Sequence, residues 1–143
     1  RKPKLRGPGG AGLSYAGSCA KRYFIYVQEH SRRSIVDRVD HVTSLGYGSG
    51  PGDRQRLGIR GGGPALVVTP RAVFDFCPDT CRLRIRSVHA PASVEEVLAI
   101  TGARVVVPEK VPHTAPPSEN ELRVLREQVD RAGVLRRVSA AGA

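Results

Sequence analysis

The sequence predicts an α/β protein, because patterns typical of strands and patterns typical of helices alternate along the chain. A short apolar run at Ala65–Val68 is typical of a buried strand. A serine followed three residues later by a glutamate occurs at Ser93 and again at Ser118, and this spacing forms the capping box that begins a helix. With 143 residues, the chain is long enough for a single domain with its own core, and we expect one domain over residues 1–143.

The N-terminal region combines a basic lead-in, residues 1–6, with the glycine-rich turn Gly7–Gly12. Leu13, Ala16 and Ala20 then have the spacing of one face of a helix. A glycine-rich turn that opens a helix can bind anionic groups through free N–H groups, but small residues also allow a helix to pack closely on a sheet. Both interpretations stay open, because the turn matches neither a Walker loop nor a strict GxGxxG pattern.

Aromatic and β-branched residues follow in Lys21–Gln28, which we predict to form a strand. Glu29 and His30 come next, and acid–base chemistry is one interpretation of this pair. Adjacent residues of a strand point to opposite faces, however, so a polar strand end is the simpler interpretation. Residues 34–43 suit either a short helix or an irregular strand. Ser44–Leu57 predicts a long polar loop, of the kind that often carries function.

Three consecutive glycines, Gly61–Gly63, precede the predicted strand at 65–68. Glycine permits a positive φ and lets another backbone or a ligand come close. The triplet therefore indicates either a ligand-binding turn or a plain tight turn before a core strand.

A β-hairpin is predicted for the middle of the chain. Arg71–Phe76 has the composition of a strand, Cys81–Arg86 alternates apolar and polar residues, and Pro78–Thr80 has the composition of a turn. We expect Leu83 and Ile85 to point inward. The three arginines of the second strand, expected to point to solvent, are Arg82, Arg84 and Arg86.

The C-terminal third predicts two helices and one more strand. The helix after Ser93 is expected to stop at Gly102, and Arg104–Val107 is expected to form a short strand. Residues 108–117 form a proline-rich linker to a final helix that ends near Gly133. The apolar face of that helix consists of Leu122, Leu125 and Val129.

Composition limits the classes of function. The net charge is +10, but it is spread along the chain and few aromatic residues are available to stack on bases, which argues against a single-strand nucleic-acid binder. No apolar run approaches the ~18 residues of a membrane-spanning helix and no signal peptide is visible, so we expect a cytoplasmic location. The three cysteines lack a CxxC pair and are interpreted as ordinary thiols, with no metal site. The chain starts at Arg1 and has no methionine, so we expect a fragment, a processed product or an incomplete sequence.

Taken in order, these segments resemble the C-terminal part of the β subunit of family I CoA transferases, of the glutaconate and 3-oxoacid type. Within them, Glu29–Gly48 is most similar to the branch associated with steroid-ring degradation, where the α/β pair is a ring-opening acyl-CoA hydrolase. The segments that carry the resemblance are Gly7–Ala11 (the G-x-G-G-A turn), Glu29–Ser31, Val39–Ser44, Gly62–Thr69, Ser93–Gly102, Thr101–Pro108 (T-G-x-x-x-x-x-P) and Pro108–Leu135.

The resemblance implies an open, mostly parallel α/β sheet with flanking helices, which is incomplete in this chain. It implies an acyl-CoA substrate and a CoA-transferase α subunit as partner, in an α2β2 or larger assembly, with no metal, nucleic acid or membrane. The contacts with CoA or substrate that it implies are at Gly9, Gly10, Ala11, Gly62 and Gly63.

No catalytic residue is assigned to this chain. The family's nucleophilic glutamate, which forms a covalent intermediate with the substrate, is expected upstream or in the partner subunit. The family's aspartate shortly after G-x-G-G-A is also missing, because Gly12, Leu13 and Ser14 follow that turn here.

The resemblance implies a subunit of an enzyme that transfers CoA between carboxylic acids, although this chain alone is expected to be inactive. The alternatives are a subunit of the ring-opening acyl-CoA hydrolase of steroid catabolism and a non-catalytic interaction subunit. A basic nucleic-acid-binding module ranks last, because the sequence contains no recognisable motif of that class.

Overall fold

The computed structural model describes residues 11–134 of the chain. The lead-in at residues 1–6 and the glycine-rich turn before residue 11, with Gly9 and Gly10, lie outside the described residues. In chain order the helices and strands are α1 (Ala11–Cys19), β1 (Tyr23–Tyr26), α2 (Asp53–Arg56), β2 (Pro64–Val68), β3 (Ala72–Phe76), β4 (Leu83–Val88), α3 (Val94–Ala99) and α4 (Glu119–Val124), which continues as a π-helical turn at Leu125–Val129.

The described strands form one open sheet in the order β1-β2-β3-β4, which confirms the α/β class and the open sheet. The expectation of a mostly parallel sheet is wrong for these strands. β1 and β2 are parallel, whereas β2–β3 and β3–β4 are antiparallel. The reason lies in the connections, because short turns join the two antiparallel pairs and a short turn can connect only antiparallel neighbours. The long segment 27–63 makes the crossover that a parallel pair requires.

The hydrophobic core lies in β3, β4 and α3. Phe74 and Ile85 are completely buried, and Val88 and Val97 are nearly so. Leu83 is half-buried on the same strand as Ile85, so both predicted inward residues contribute to the core. Burial of one such side chain stabilises the fold by about 1.5–3 kcal/mol, which makes this cluster the main anchor of the described sheet.

The three arginines of the hairpin that were expected to point to solvent are not all exposed. Arg82 and Arg86 are exposed as expected. Arg84 is half-buried, and its Nε and Nη2 each donate to the Asp75 carboxylate across the hairpin at 2.8 Å. Such a fork-to-fork pair fixes both side chains, so Arg84 belongs to the packing of the hairpin.

Both predicted capping boxes are present. The Ser93 hydroxyl accepts from the Glu96 N–H at 3.2 Å, and the Glu96 carboxylate accepts from the Ser93 N–H at 2.8 Å. The same reciprocal pair joins Ser118 and Glu121. Each cap satisfies N–H groups that the first helical turn leaves without a partner, which explains why α3 and α4 begin at these residues.

Two local expectations need correction. Residues 34–43 form turns and bends, with one isolated parallel bridge between Val36 and Gly102. The helix α3 ends at Ala99, and Gly102 is not among the glycines with positive φ, so it is not a left-handed helix stop. Its role is close approach, because a Cβ at Gly102 would overlap the carbonyl oxygens of Arg32 and Ile35.

Two segments around the sheet are less regular than expected. The predicted strand at Arg104–Val107 is reduced to one bridge, in which Val106 pairs with Arg84 of β4. His113, within residues 108–117, forms a second parallel bridge with Val88. The predicted loop at 44–57 contains the short helix α2.

Within residues 11–134, no helix has both the length and the apolar character needed to cross a membrane.

Candidate functional site

The glycine triplet packs directly against the chain that leaves α1. The Gly62 N–H donates to the Lys21 carbonyl at 2.8 Å, and the Gly63 carbonyl accepts from the Tyr23 N–H at 3.3 Å. A Cβ at Gly61 would overlap the carbonyl of Ala20, and one at Gly62 would overlap that of Lys21. The missing side chains therefore let two backbone segments touch before β1 and β2 pair.

Gly63 completes the turn for a different reason. Its φ is +91°, a conformation that L side chains rarely adopt. An added Cβ would also lie 3.1 Å from the Tyr47 ring and 3.3 Å from Cδ of Arg54. The sequence Gly61–Gly63 is thus required by three separate local constraints.

Arg54 lies beneath the triplet and is only 4 % exposed. Its Nε donates to the Gly61 carbonyl at 2.7 Å, its Nη1 to Gly46 at 2.7 Å, and its Nη2 to Gly17 at 3.0 Å. Gly17 belongs to the C-terminal part of α1, where the helix dipole is negative and favours a cation. A buried charge is tolerated when its hydrogen-bonding capacity is used, so Arg54 holds α1, the loop and the triplet together.

Two further side chains stabilise the loop around Arg54. The Tyr47 hydroxyl donates to the Pro64 carbonyl at 2.7 Å, and its ring contacts Phe76 edge-on at 5.1 Å between centroids. Burial raises the pKa of the Tyr47 hydroxyl. The Asp53 carboxylate accepts from the Ser49 N–H at 2.8 Å and from Arg56, and these hydrogen bonds hold the pKa of Asp53 below its usual range.

A cavity of about 210 Å³ opens between these elements. It is lined by residues of the loop 47–55, by Pro78 and Cys81 of the hairpin tip 78–81, and by Gly62. Arg54 and Tyr47 also line the cavity. The donors of Arg54 are committed to backbone carbonyls, so the cavity offers polar backbone next to a buried positive charge, an environment that suits a small polar or anionic group.

A second polar centre is built around His30. Its Nδ1 lies 2.8 Å from the Thr69 hydroxyl, and its Nε2 lies 2.9 Å from the Thr101 hydroxyl. The Thr101 hydroxyl donates to the Val97 carbonyl at 2.7 Å. The Thr69 hydroxyl accepts from the Ala72 N–H at 3.0 Å. We call these three side chains, His30, Thr69 and Thr101, the histidine clasp.

The hydrogen bonds assign the tautomer of His30. Burial, and then the positive charge of Arg71, lower the pKa of His30, so the imidazole is neutral at pH 7. Because the Thr101 proton is used on Val97, Nε2–H must donate to Thr101. Nδ1 then carries no proton and can only accept, so the Thr69 hydroxyl at 2.8 Å is its donor, and the Ala72 carbonyl at 3.0 Å is the alternative acceptor for that hydroxyl. Both ring nitrogens are occupied, which argues against a general-base role for His30.

The structure places only some of the predicted CoA-contact residues close together. Gly62 and Gly63 lie together beside the cavity, and Ala11 begins α1. Gly9 and Gly10 lie outside the described residues. Sequence reasoning considered His30 only beside Glu29, and it did not single out Arg54, Tyr47 or the contacts of His30 with Thr69 and Thr101. A signal existed, because the clasp takes one residue from each of three segments that carry the resemblance, at 29–31, 62–69 and 101–108.

No metal-binding arrangement of three or more His, Cys, Asp or Glu side chains occurs in the part of the chain that the structure describes. Glu29 is exposed beside the buried His30, and Glu96 and Glu121 are engaged in their capping boxes.

Two curated relatives of this chain are B subunits of CoA transferases. No family model matches the chain. It is 34 % identical over 125 residues to the B subunit of 3-oxoadipate CoA-transferase from Pseudomonas knackmussii, covering 87 % of this chain and 48 % of that protein. It is 34 % identical over 129 residues to the B subunit of glutaconate CoA-transferase from Acidaminococcus fermentans, covering 90 % and 47 %. The chain therefore spans about half the length of the curated relatives it matches.

Solved structures agree with these relatives. The glutaconate coenzyme A-transferase of Acidaminococcus fermentans matches with a TM-score of 0.79 and 32 % identity, over 92 % of this chain and 50 % of that one. Rhodococcus jostii RHA1 IpdAB matches with a TM-score of 0.76 and 25 % identity, over 95 % of this chain and 54 % of that one. The described sheet and helices thus recur as half of a larger chain.

Proposed function

This chain belongs to the CoA-transferase family as a relative of its B subunits, and from that premise we propose that it is the B-subunit component of an enzyme acting on acyl-CoA thioesters. The proposed reaction is the transfer of CoA between carboxylic acids. One observation carries the proposal: nearly the whole chain aligns at 34 % identity with two B subunits of CoA transferases. The net charge of +10 is compatible with a substrate that carries phosphate groups.

We propose a CoA-transferase α subunit as partner, in an α2β2 or larger assembly in the cytoplasm. Both curated relatives are named as B subunits, which supports a partner of this kind. The edge strand β1 adds support, because it pairs with β2 on one side and exposes Phe24 and Tyr26. The three cysteines are free thiols, which suits a reducing compartment.

The proposed contacts with CoA or substrate are at Gly9, Gly10, Ala11, Gly62 and Gly63. Gly62 lines the same cavity as the buried residue Arg54. Ala11 begins α1, and the first turn of a helix carries N–H groups and a partial positive charge that favour anions. The nucleophilic glutamate is proposed to come from outside this chain, so the isolated chain should turn over no thioester.

The second candidate is the ring-opening acyl-CoA hydrolase of steroid catabolism, favoured by the sequence of Glu29–Gly48. The fold does not separate the two candidates, because the chain matches the glutaconate coenzyme A-transferase and IpdAB with similar TM-scores, 0.79 and 0.76. The reactions differ in one product, since transfer to an acceptor carboxylate yields a new thioester, whereas hydrolysis releases free CoA thiol.

The test is to purify the chain together with a CoA-transferase α subunit from the same organism and to incubate the complex with acyl-CoA, with and without an acceptor carboxylate. A new acyl-CoA that requires the acceptor supports the transferase. Free thiol released without an acceptor supports the hydrolase. A stable complex that does neither with a range of acyl-CoA esters would contradict both candidates and favour a non-catalytic interaction subunit.

The proposed glycine contacts have their own test in the same complex. Gly10→Val should weaken acyl-CoA binding while the melting temperature of the complex changes little. The control is Gly133→Ala, four residues beyond the C-terminal helix, where the positive φ predicts some loss of stability but CoA affinity should be unchanged. If Gly10→Val lowers the melting temperature but leaves CoA affinity unchanged, the proposed contacts are contradicted.

A further inference from the structure

The β3–β4 hairpin closes through a bulge that contains two cysteines. The Cys77 N–H donates to the Arg82 carbonyl at 2.9 Å, and the Cys81 N–H donates to the Cys77 carbonyl at 2.8 Å. Cys81 and Arg82 therefore both oppose the single residue Cys77, which defines a β-bulge. In the common bulge of this kind at a hairpin end, the first of the two residues is a left-handed glycine.

Cys81 occupies that glycine position. Its φ is +55°, and it is the one non-glycine residue with positive φ among residues 11–134. Elsewhere the described chain uses glycine for this conformation, as at Gly46, Gly58 and Gly63. A non-glycine residue held in a sparsely populated conformation points to a role for its side chain.

The bulge also sets the distance between the two cysteines. Its bond from the N–H of residue i+4 to the carbonyl of residue i closes the chain as one turn of a helix does, which brings the two Cα atoms to about 6 Å. This separation falls within the range of roughly 4.4–6.8 Å that disulfides span. Both cysteines are free and half-buried, and Cys81 also lines the cavity next to Gly62, so both residues of the pair are partly exposed to solvent.

We propose that Cys77 and Cys81 are a redox-active pair that closes reversibly into a disulfide across the hairpin tip. The oxidant is a low-molecular-weight disulfide of the glutathione class. One cysteine thiolate attacks this disulfide, forms a mixed disulfide and releases one glutathione thiolate. The other cysteine then attacks the protein sulfur of the mixed disulfide and releases the second glutathione. Two electrons pass to glutathione disulfide, and the protons of the two protein thiols end on the two glutathione thiols.

A disulfide at the hairpin tip would affect the cavity that the tip lines. The hairpin tip 78–81 is one wall of the cavity beside Gly62 and Arg54, and the disulfide would fix that wall. A disulfide formed at a strained and accessible position is easily reduced, which is the behaviour of a redox-responsive pair in a compartment rich in glutathione.

The experiment uses the full chain with Cys19→Ser, which removes the exposed third thiol. The folded protein is equilibrated with a series of glutathione buffers, free thiols are alkylated, and the chain is cut after arginine. Both cysteines then lie in the single peptide Ala72–Arg82. We expect this peptide to lose two hydrogens and to escape alkylation as the buffer becomes oxidising, and dithiothreitol to reverse the change.

Two comparisons make the result specific. In urea the same disulfide should need a more oxidising buffer, because the bulge no longer holds the cysteines together. Cys81→Gly, which suits the left-handed position, should keep the fold and leave Cys77 with only an alkyl group or one glutathione. The proposal is overturned if the folded peptide carries two glutathiones or two alkyl groups in every buffer, or if oxidation is no easier in the folded chain than in urea.

Discussion

Two buried polar side chains connect segments that are distant in the chain. His30 joins the end of β1 to Thr69, 39 residues away, and to Thr101, 71 residues away. Arg54 joins α1, the loop at Gly46 and the glycine triplet. No buried side-chain nitrogen or oxygen lacks a hydrogen-bond partner in the described part of the chain. Removing either side chain would therefore leave buried partners without hydrogen bonds, which costs more than the bond itself contributes.

The histidine clasp predicts a pH dependence of stability. The folded state holds the pKa of His30 below its ordinary value of 6.5. As the pH falls below about 6.5, the unfolded chain takes up the proton first, so the free energy of unfolding should decrease until the folded-state pKa is reached. Above pH 7 this group should contribute no slope. Urea unfolding between pH 5 and pH 8 measures the effect.

His30→Gln should remove that part of the slope and lower stability by about 1–3 kcal/mol at pH 7. The exposed His41 provides the control, and His41→Gln should leave both quantities nearly unchanged. Four carboxylates of the described chain have lowered pKa values and titrate at more acidic pH, outside this window: Asp37, Asp53, Glu95 and Glu121. An identical slope in wild type and His30→Gln would refute the assignment of a neutral His30.

Arg54→Lys tests whether the fork of the guanidinium matters, since lysine keeps the charge but places its donors at one point. We expect a loss of about 1–3 kcal/mol, because at least one of the four carbonyls bonded to Arg54 loses its partner. The control is the exposed Arg60, and Arg60→Lys should change stability by less than about 0.5 kcal/mol. Equal losses of stability in the two variants would contradict the proposal that the Arg54 guanidinium holds α1, the loop and the glycine triplet together.

At the scale of elements, local signals in the sequence were sufficient for some structures. The capping boxes at Ser93 and Ser118 depend on residues three positions apart, and the hairpin at 72–88 depends on alternation and a short turn. Sequence reasoning failed where the cause lies far along the chain. Gly102 looks like a helix stop, but the constraint on it comes from the carbonyls of Arg32 and Ile35. The histidine clasp has the same origin, because no spacing rule links His30 to partners in two other motifs.

The prediction of a mostly parallel sheet was wrong because it did not take the length of the links between strands into account. The family pattern implied a mostly parallel sheet, while the short links after Val68 and Phe76 impose antiparallel pairs on the described part. For the candidate site, the glycines at 61–63 were recognised from the sequence. Their partners Tyr47 and Arg54 were not, because they lie in a segment that was predicted only as a polar loop.

The glycine triplet gives a prediction for the junction of α1 and β2. Gly62→Ala should destabilise the chain by more than about 1 kcal/mol, because its Cβ would overlap the backbone carbonyl of Lys21, which cannot move aside as a flexible side chain could. Gly12→Ala is the matched control. A Cβ there meets nothing within 4 Å, and alanine in a helix is favoured by up to about 1 kcal/mol over glycine. Thermal unfolding of both variants would show opposite signs, and a neutral Gly62→Ala would refute the close-approach argument.

At the scale of the whole molecule, the described structure leaves one edge of its sheet uncovered. The strand β1 pairs with β2 alone, and its residues Phe24 and Tyr26 are 61 % and 71 % exposed. On the adjacent helix α1, Leu13 and Tyr15 are exposed as well. Unpaired N–H and C=O groups together with apolar side chains favour association with another chain.

We therefore expect Arg1–Ala143 to require association for full stability. Alone, the chain should self-associate or unfold without cooperativity, and its melting temperature should rise on binding of the proposed α partner, because a partner that binds only the folded state stabilises it. Sedimentation and calorimetry measure the two effects. Phe24→Lys should weaken the association by placing a charge on the edge strand, whereas Val129→Lys, at a residue on the C-terminal helix that is 69 % exposed, should not. A monomer that unfolds cooperatively by itself, or equal effects of the two lysine variants, would show that the edge of β1 is not the surface on which the chain depends.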